Sequence, residues 1–208
     1  MELQNSTQSL IDYYDKWWEN PNDPRSGVFA KLNRFVFDRI PPGNGKRALD
    51  VGSGCGTIVD MLLKRGYQVD AVEVSPEAVA KMRARFPQAN IIQADLKEWE
   101  PTEQYDLITM IEIAANFGEA DLCTLLAKMR AAGKKVLINN SSYDSLHGRW
   151  NTFRGFSAPF VHLYRVKEFE RFLRQSDFEI TYRAGVGFLV PITLFTGFRG
   201  LLIPKSVA

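Results

Sequence analysis

Apolar residues recur along this chain in two alternating rhythms. Short continuous runs read as buried strands at Arg47–Val51, Gln68–Val72, Ala89–Gln93, Tyr105–Ile111 and Lys135–Asn139. Between them, apolar positions return at helical spacing over Thr57–Arg65, from Pro76 to about Phe86, and over Glu119–Ala131. Pro76 suits a first helical position, where its missing N–H costs nothing. Strands buried along their whole length and separated by helices predict a mostly parallel sheet with helices on both faces. Upstream, Ser9–Glu19 reads as a short aromatic helix ended by the Pro21/Pro24 stretch. Val28–Arg39 reads as a second helix, with Val28, Leu32, Phe35 and Val36 at helical spacing, ended by Pro41-Pro42-Gly43. Residues 1–40 are expected to form a helical cap on a single domain spanning 1–208.

The pattern changes in the last third. Ser141–Val161 is rich in Gly, Asn, Ser and aromatics without clean periodicity. It is too long for an ordinary connection, so 141–165 is expected to be a substrate-side insertion or lid. Val166–Gln175 returns to helical spacing, with Phe169, Phe172 and Leu173 as its apolar stripe. Phe178–Tyr182 and roughly Thr196–Ile203 read as strands, an antiparallel hairpin closing the sheet edge. The residues between them, including Gly185 and Pro191, read as a second apolar wall. The expected fold is therefore α/β and Rossmann-like, a seven-stranded, mostly parallel sheet with helices on both faces and a late antiparallel strand.

Composition narrows the class. The chain has 208 residues, 45% apolar and 24% charged, the balance of a soluble globular protein. A formal net charge of +2 gives no indication of a nucleic-acid partner. From Leu146 onward nine Lys/Arg stand against four Asp/Glu. That excess fits an anionic acceptor, a membrane surface or simply the solvated face of a helix. Cys55 and Cys123 have no metal-site spacing and no disulfide framework, as in a cytoplasmic protein, and no metal is expected. MELQNSTQSL lacks the basic and apolar regions of a signal peptide. The longest apolar stretch, Val186–Phe195, is broken by Pro191 and too short to span a bilayer. No transmembrane segment is expected; a weak peripheral membrane association is expected only for a lipid-like acceptor.

Candidate chemistry begins at the first turn, Ala48-Leu-Asp-Val-Gly-Ser-Gly-Cys-Gly56. Glycine this dense after an apolar strand lets the backbone approach a ligand closely, and the following helix presents its positive end. Gly52, Gly54 and Gly56 do not supply the usual dinucleotide spacing. Glu73, about twenty residues on at the end of the second strand, can accept two hydrogen bonds from a ribose diol, as in either S-adenosylmethionine or NAD. Asp95 after the third strand adds an acceptor suited to an exocyclic amine. Each carboxylate has an alternative reading as a cap.

The ordered segments ALDVGSGCG, VDAVEVSPEAV, IIQADLKEW and YDLITMIEIAANF together resemble the motifs of the class I S-adenosylmethionine-dependent methyltransferase family. The resemblance covers about Arg47–Asn139. It implies that Gly52, Ser53 and Gly54 border the methionine and sugar of the cofactor, with Asp50 also among the cofactor-binding residues. It further implies that Glu73 binds the ribose hydroxyls, Val74 flanks the adenine, Asp95 takes the adenine amine with Leu96 beside it, and Ile111 and Glu112 close over the methionine. HLYRVKEFERFLRQSDFEI resembles the family's late helix and strand. The sequence departs from the pattern at Ala114-Ala-Asn116-Phe117, where many relatives carry His or Asp, and at Cys55, often glycine or threonine. Trp17-Trp18 followed by Asn33-Arg34 resembles the ubiquinone-biosynthesis O-methyltransferases, which places Tyr14 or Trp18 over the cofactor; plain aromatic packing is the alternative.

The resemblance implies S-adenosylmethionine as cofactor, with an already activated methyl; the protein then supplies an aligned nucleophile and often a base. His147 and His162 are the two histidines and the candidate bases. Asn116, Tyr143, Arg154 and Tyr164 are candidate acceptor contacts. The chain lacks the N/D-P-P-Y/F motif of nucleic-acid amine methylation and any separate recognition module. A small aromatic or apolar acceptor methylated at oxygen is therefore expected, with nitrogen in a small amine or a protein as runner-up. The rivals are a non-catalytic S-adenosylmethionine-binding protein and an NAD-dependent oxidoreductase.

Overall fold

The computed structural model describes residues 8–9, 11–12, 33–144, 162–185 and 198–199. The chain divides into two compact units, Met1–Trp99 and Glu100–Ala208.

In the first unit the alternation runs β1 (Arg47–Val51), α1 (Thr57–Lys64), β2 (Gln68–Glu73), α2 (Pro76–Arg85) and β3 (Asn90–Gln93). β2 lies between β1 and β3 and is parallel to both, with Ala71 opposite Asp50 on one side and Ile91 on the other. Consecutive rather than alternating positions are buried: Ala48, Leu49 and Val51 in β1, Val69, Ala71 and Val72 in β2. That is the signature of a sheet covered on both faces. α1 covers it with Ile58, Val59 and Leu62, and α2 with Ala78, Val79 and Met82. Each large apolar side chain buried this way contributes about 1.5–3 kcal/mol. The i,i+4 pairs Lys64–Asp60 and Lys81–Glu77 add only about 0.2–0.5 kcal/mol each. The interior therefore holds the unit. α2 starts where Ser75 caps it, its hydroxyl accepting from the Ala78 amide at 3.1 Å with Pro76 at the first helical position.

The second unit contains β4 (Leu107–Ile111), a 3₁₀ turn (Ala114–Asn116), α3 (Glu119–Ala132), β5 (Val136–Asn139) and α4 (Val166–Gln175). β4 and β5 are parallel, Thr109 opposite Leu137 and Ile111 opposite Asn139. Leu122, Leu125, Leu126 and Met129 bury one side of α3. The start of α4 is tied by two carboxylates: Glu168 accepts from the Arg165 amide at 2.8 Å and Asp144 from the Val166 amide at 2.9 Å.

Five parallel strands are present among the described residues, in ladders of three and two, against the seven expected, and none of the five is antiparallel. Phe178–Tyr182, expected as a strand, is not one. Asp177 is left-handed at φ 59°. The Asp177 amide donates to Arg174 O and the Phe178 amide to Leu173 O. Together these bonds form a Schellman cap that takes the very amide a ladder would need. The late antiparallel pairing instead joins β6 (Ala184–Gly185) to β7 (Phe198–Arg199) as a separate two-stranded ladder. Most of the expected N-terminal cap 1–40 and of the insertion 141–165 lies outside the described residues; residues 33–37 are helical. Among the described residues no helix is long and apolar enough to cross a membrane.

Candidate functional site

β1 and β2 end side by side, and their carboxyl ends carry the glycine turn. Gly52, Gly54 and Gly56 have φ of 70°, 52° and 80°, a left-handed backbone open to glycine at little cost. The Gly52 and Ser53 amides both donate to Val72 O, at 2.9 and 3.1 Å, and the Ser53 hydroxyl donates to Asp50 O at 2.9 Å. Glu73 completes the tie. Its Oε2 accepts from the Gly54 amide at 2.8 Å, and its Oε1 accepts from the Val74 and Ser75 amides at 2.9 and 3.0 Å. The half-buried carboxylate thus spans the two turns that a nucleoside laid across these strand ends would contact.

Asp50 is buried at 2% exposure within β1. Asp95 follows β3; its Oδ1 accepts from the Lys97 amide at 3.0 Å, and its carbonyl takes the Trp99 amide at 2.8 Å. It therefore caps its own turn, while the neighbouring Leu96 is buried at 6% exposure. Burial pushes the Cys55 thiol up, Lys81 pulling it partly back, which favours the protonated thiol. An acceptor carboxylate beside a turn of left-handed glycines, with a buried leucine after β3, suits a ribose-bearing nucleoside. Among the described residues no group of three or more His, Cys, Asp or Glu could hold a metal ion.

The second unit places a polar cluster at the ends of β4 and β5. Ile111 closes β4, and Glu112 follows it with φ 59°, a left-handed conformation costing a non-glycine residue about 1–2 kcal/mol. Its amide extends the ladder to Asn139 O at 2.8 Å. Its carboxylate accepts from the Ser141 hydroxyl at 2.7 Å and the Ser141 amide at 3.2 Å. Asn139 and Asn140 are 4% and 6% exposed, and their side-chain oxygens meet no hydrogen-bond partner among the described residues. Glu112, Asn139 and Asn140 make this end of the unit rich in acceptors.

Tyr164 anchors the turn after β4. Its hydroxyl donates to Phe117 O at 2.6 Å, its ring meets Phe172 edge-on at 5.2 Å, and His162 stacks on it at 6.2 Å. Burial, then the charge of Glu119, pushes its phenol up from 10 to about 12. His162 is exposed, its amide donating to Ala115 O at 2.7 Å. Asn116 ends the 3₁₀ turn, and Tyr143 carries the Arg165 guanidinium 4.8 Å from its ring centre. A narrow crevice of about 20 Å³ lies among Asn140, Ser141, Ser142, Tyr164, Glu170 and Arg183, room for about one water molecule. Tyr14, Trp18, His147 and Arg154 lie outside the described residues.

Each unit thus groups its expected residues at strand ends: Gly52, Ser53, Gly54, Glu73 and Val74 in the first, Ile111 and Glu112 in the second. Asn139, Asn140 and Ser141 were not singled out from the sequence. Their signal was present as the Asn-Asn-Ser-Ser run directly after the apolar strand Val136–Ile138.

Residues 48–135 match a family model described as a methyltransferase domain. Trans-aconitate 2-methyltransferase of Escherichia coli is 31% identical over 75 residues, covering 35% of this chain and 30% of that protein. Nodulation protein S of Bradyrhizobium diazoefficiens is 27% identical over 121 residues, 54% of this chain and 57% of that protein. The chain thus spans between about a third and just over half the length of these curated relatives. Among solved structures, magnesium protoporphyrin IX methyltransferase from Synechocystis, with bound S-adenosylhomocysteine, superposes with a TM-score of 0.73 at 12% identity, covering 95% of this chain and 99% of that one. Residues 48–135 thus match a methyltransferase domain, and the chain shares the fold of a methyltransferase solved with S-adenosylhomocysteine bound.

Proposed function

We propose that this protein transfers the methyl group of S-adenosylmethionine to a small aromatic or apolar metabolite, at oxygen. The observation that carries the reading is the Glu73 carboxylate held against the Gly54 amide at the joined ends of β1 and β2. The bound cofactor supplies a methyl on a positively charged sulfur, ready for displacement. Gly52, Ser53 and Gly54 admit its close approach, Glu73 accepts from its ribose hydroxyls, and Val74 and Leu96 offer apolar walls to its adenine. In this reading Asp50, Asp95 and Ile111 complete the cofactor contacts, with Tyr14 or Trp18 above them. His147 or His162 takes the acceptor's proton, and Asn116, Tyr143, Arg154 and Tyr164 orient the acceptor. Two relatives bear the names of small-molecule methyltransferases, for trans-aconitate and for magnesium protoporphyrin IX, which supports a small acceptor.

A second reading, methylation of a small amine, draws on one observation. The Asn139 and Asn140 oxygens are buried without partners among the described residues, close in sequence to Ser141, which binds Glu112. Buried acceptors are costly unless a donor meets them, and an amine brings donors. Methyl transfer from labelled cofactor to a panel of phenols, carboxylic acids and amines separates the readings. Labelled product from the phenols or acids alone supports the first reading, and from amines alone the second. No transfer to any class, with the cofactor bound, counts against both.

A further inference from the structure

Glu73 makes more hydrogen bonds than a carboxylate bound to both hydroxyls of a ribose can keep. A carboxylate offers about four acceptor sites over its two oxygens. Val74 and Ser75 occupy Oε1, and Gly54 occupies Oε2, so about one site is left, on Oε2. One ribose hydroxyl fits there; a second must displace an amide. The Val74 and Ser75 amides belong to the turn that immediately follows Glu73, and they travel with it. The Gly54 amide reaches Oε2 from a loop 19 positions away in sequence and sits on the oxygen that retains the open site.

We propose that the Gly54–Glu73 hydrogen bond is a latch: it holds the glycine turn in the ligand-free protein and is released when both ribose hydroxyls of the cofactor bind. The inference rests on the cofactor reading above. Glu73 therefore positions the turn before binding and exchanges that contact for the ligand. The second hydroxyl gains one bond and breaks one, so its net contribution to affinity is small.

The test uses the full chain, labelled with ¹⁵N and ¹³C, free, with S-adenosylhomocysteine, and with its 2′-deoxy analogue. The two ligands share the adenine and the sulfur chain, so the difference between them isolates the second hydroxyl. In the free protein the proposal expects a downfield-shifted Gly54 amide proton and a through-bond coupling to the Glu73 side-chain carboxyl carbon; absence of that coupling overturns it. The proposal expects S-adenosylhomocysteine to abolish that coupling, the deoxy analogue to leave it, and the two affinities to agree within about tenfold. A latch-free site keeps the coupling with both ligands and favours the full diol by about 10–150-fold, the worth of an uncompensated hydrogen bond to a charge. Either result overturns the latch while leaving the cofactor reading intact. If S-adenosylhomocysteine does not bind at all, the cofactor reading falls and the latch with it.

Discussion

Replacing Glu73 with alanine removes three backbone hydrogen bonds and two prospective ligand bonds at once, and the two losses can be measured separately. In the free protein the Gly54, Val74 and Ser75 amides lose a charged acceptor at 2.8–3.0 Å. Hydrogen bonds to charged groups contribute about 1.5–3 kcal/mol when buried. Glu73 is only half-buried, so water replaces much of what is lost, and the net cost is about 1–3 kcal/mol. For a domain of this size that is a fall in Tm of about 2–12 °C. The core of β1, β2, α1 and α2 is untouched, so the variant still folds. The missing carboxylate also removes the ribose contact, weakening S-adenosylhomocysteine by about 10–100-fold. Calorimetric titration and a thermal melt of the same sample read both numbers. Unchanged affinity in a folded Glu73→Ala variant would refute the placement of the ribose at Glu73, and an unchanged Tm would refute its role in holding the glycine turn.

Gly56→Ala should destabilise by about 2–4 kcal/mol. The residue has φ 80°, and an added Cβ would lie 2.6 Å from the Phe86 ring and 3.1 Å from Met82; urea unfolding measures the loss. Tyr164 in the folded protein holds its proton up to about pH 12, whereas the unfolded phenol loses it near 10. A raised pKa gives stability that is complete below the unfolded value and is lost as pH rises through the folded one. The native protein should therefore weaken between pH 10 and 12 more steeply than Tyr164→Phe, which chemical unfolding at several pH values reads out; parallel curves would remove that role. Glu112→Asn should keep stability within about 1 kcal/mol, since asparagine tolerates the left-handed backbone while the bond to Ser141 weakens. Methyl transfer should nevertheless fall at least tenfold if the strained residue serves the acceptor. Full turnover by this variant would place Glu112 among purely structural residues.

The parallel framework was legible because its strands are continuous apolar runs and its helices keep one apolar face. Val166–Gln175 was read with the same bounds it has in the structure, and Ser75-Pro76 marked the start of α2. Reading failed at Phe178–Tyr182, where Phe178 and Ile180 alternate with polar residues as in a strand. A left-handed Asp177 gave the Phe178 amide to a helix cap, and the usual sequence sign of that cap is glycine. At the site, Glu73 was recognisable by its place at the end of β2. Its three amide bonds depend on turn geometry that residue identities do not carry. The Glu112–Ser141 pair joins residues 29 positions apart, so it becomes visible only once β4 and β5 are known to be neighbours.

The most direct test of the central claim is calorimetric titration of the purified protein with S-adenosylmethionine, S-adenosylhomocysteine and NAD. The two sulfur nucleosides should bind with micromolar affinity and NAD should not bind. Binding of NAD alone, or of none of the three, would contradict that claim.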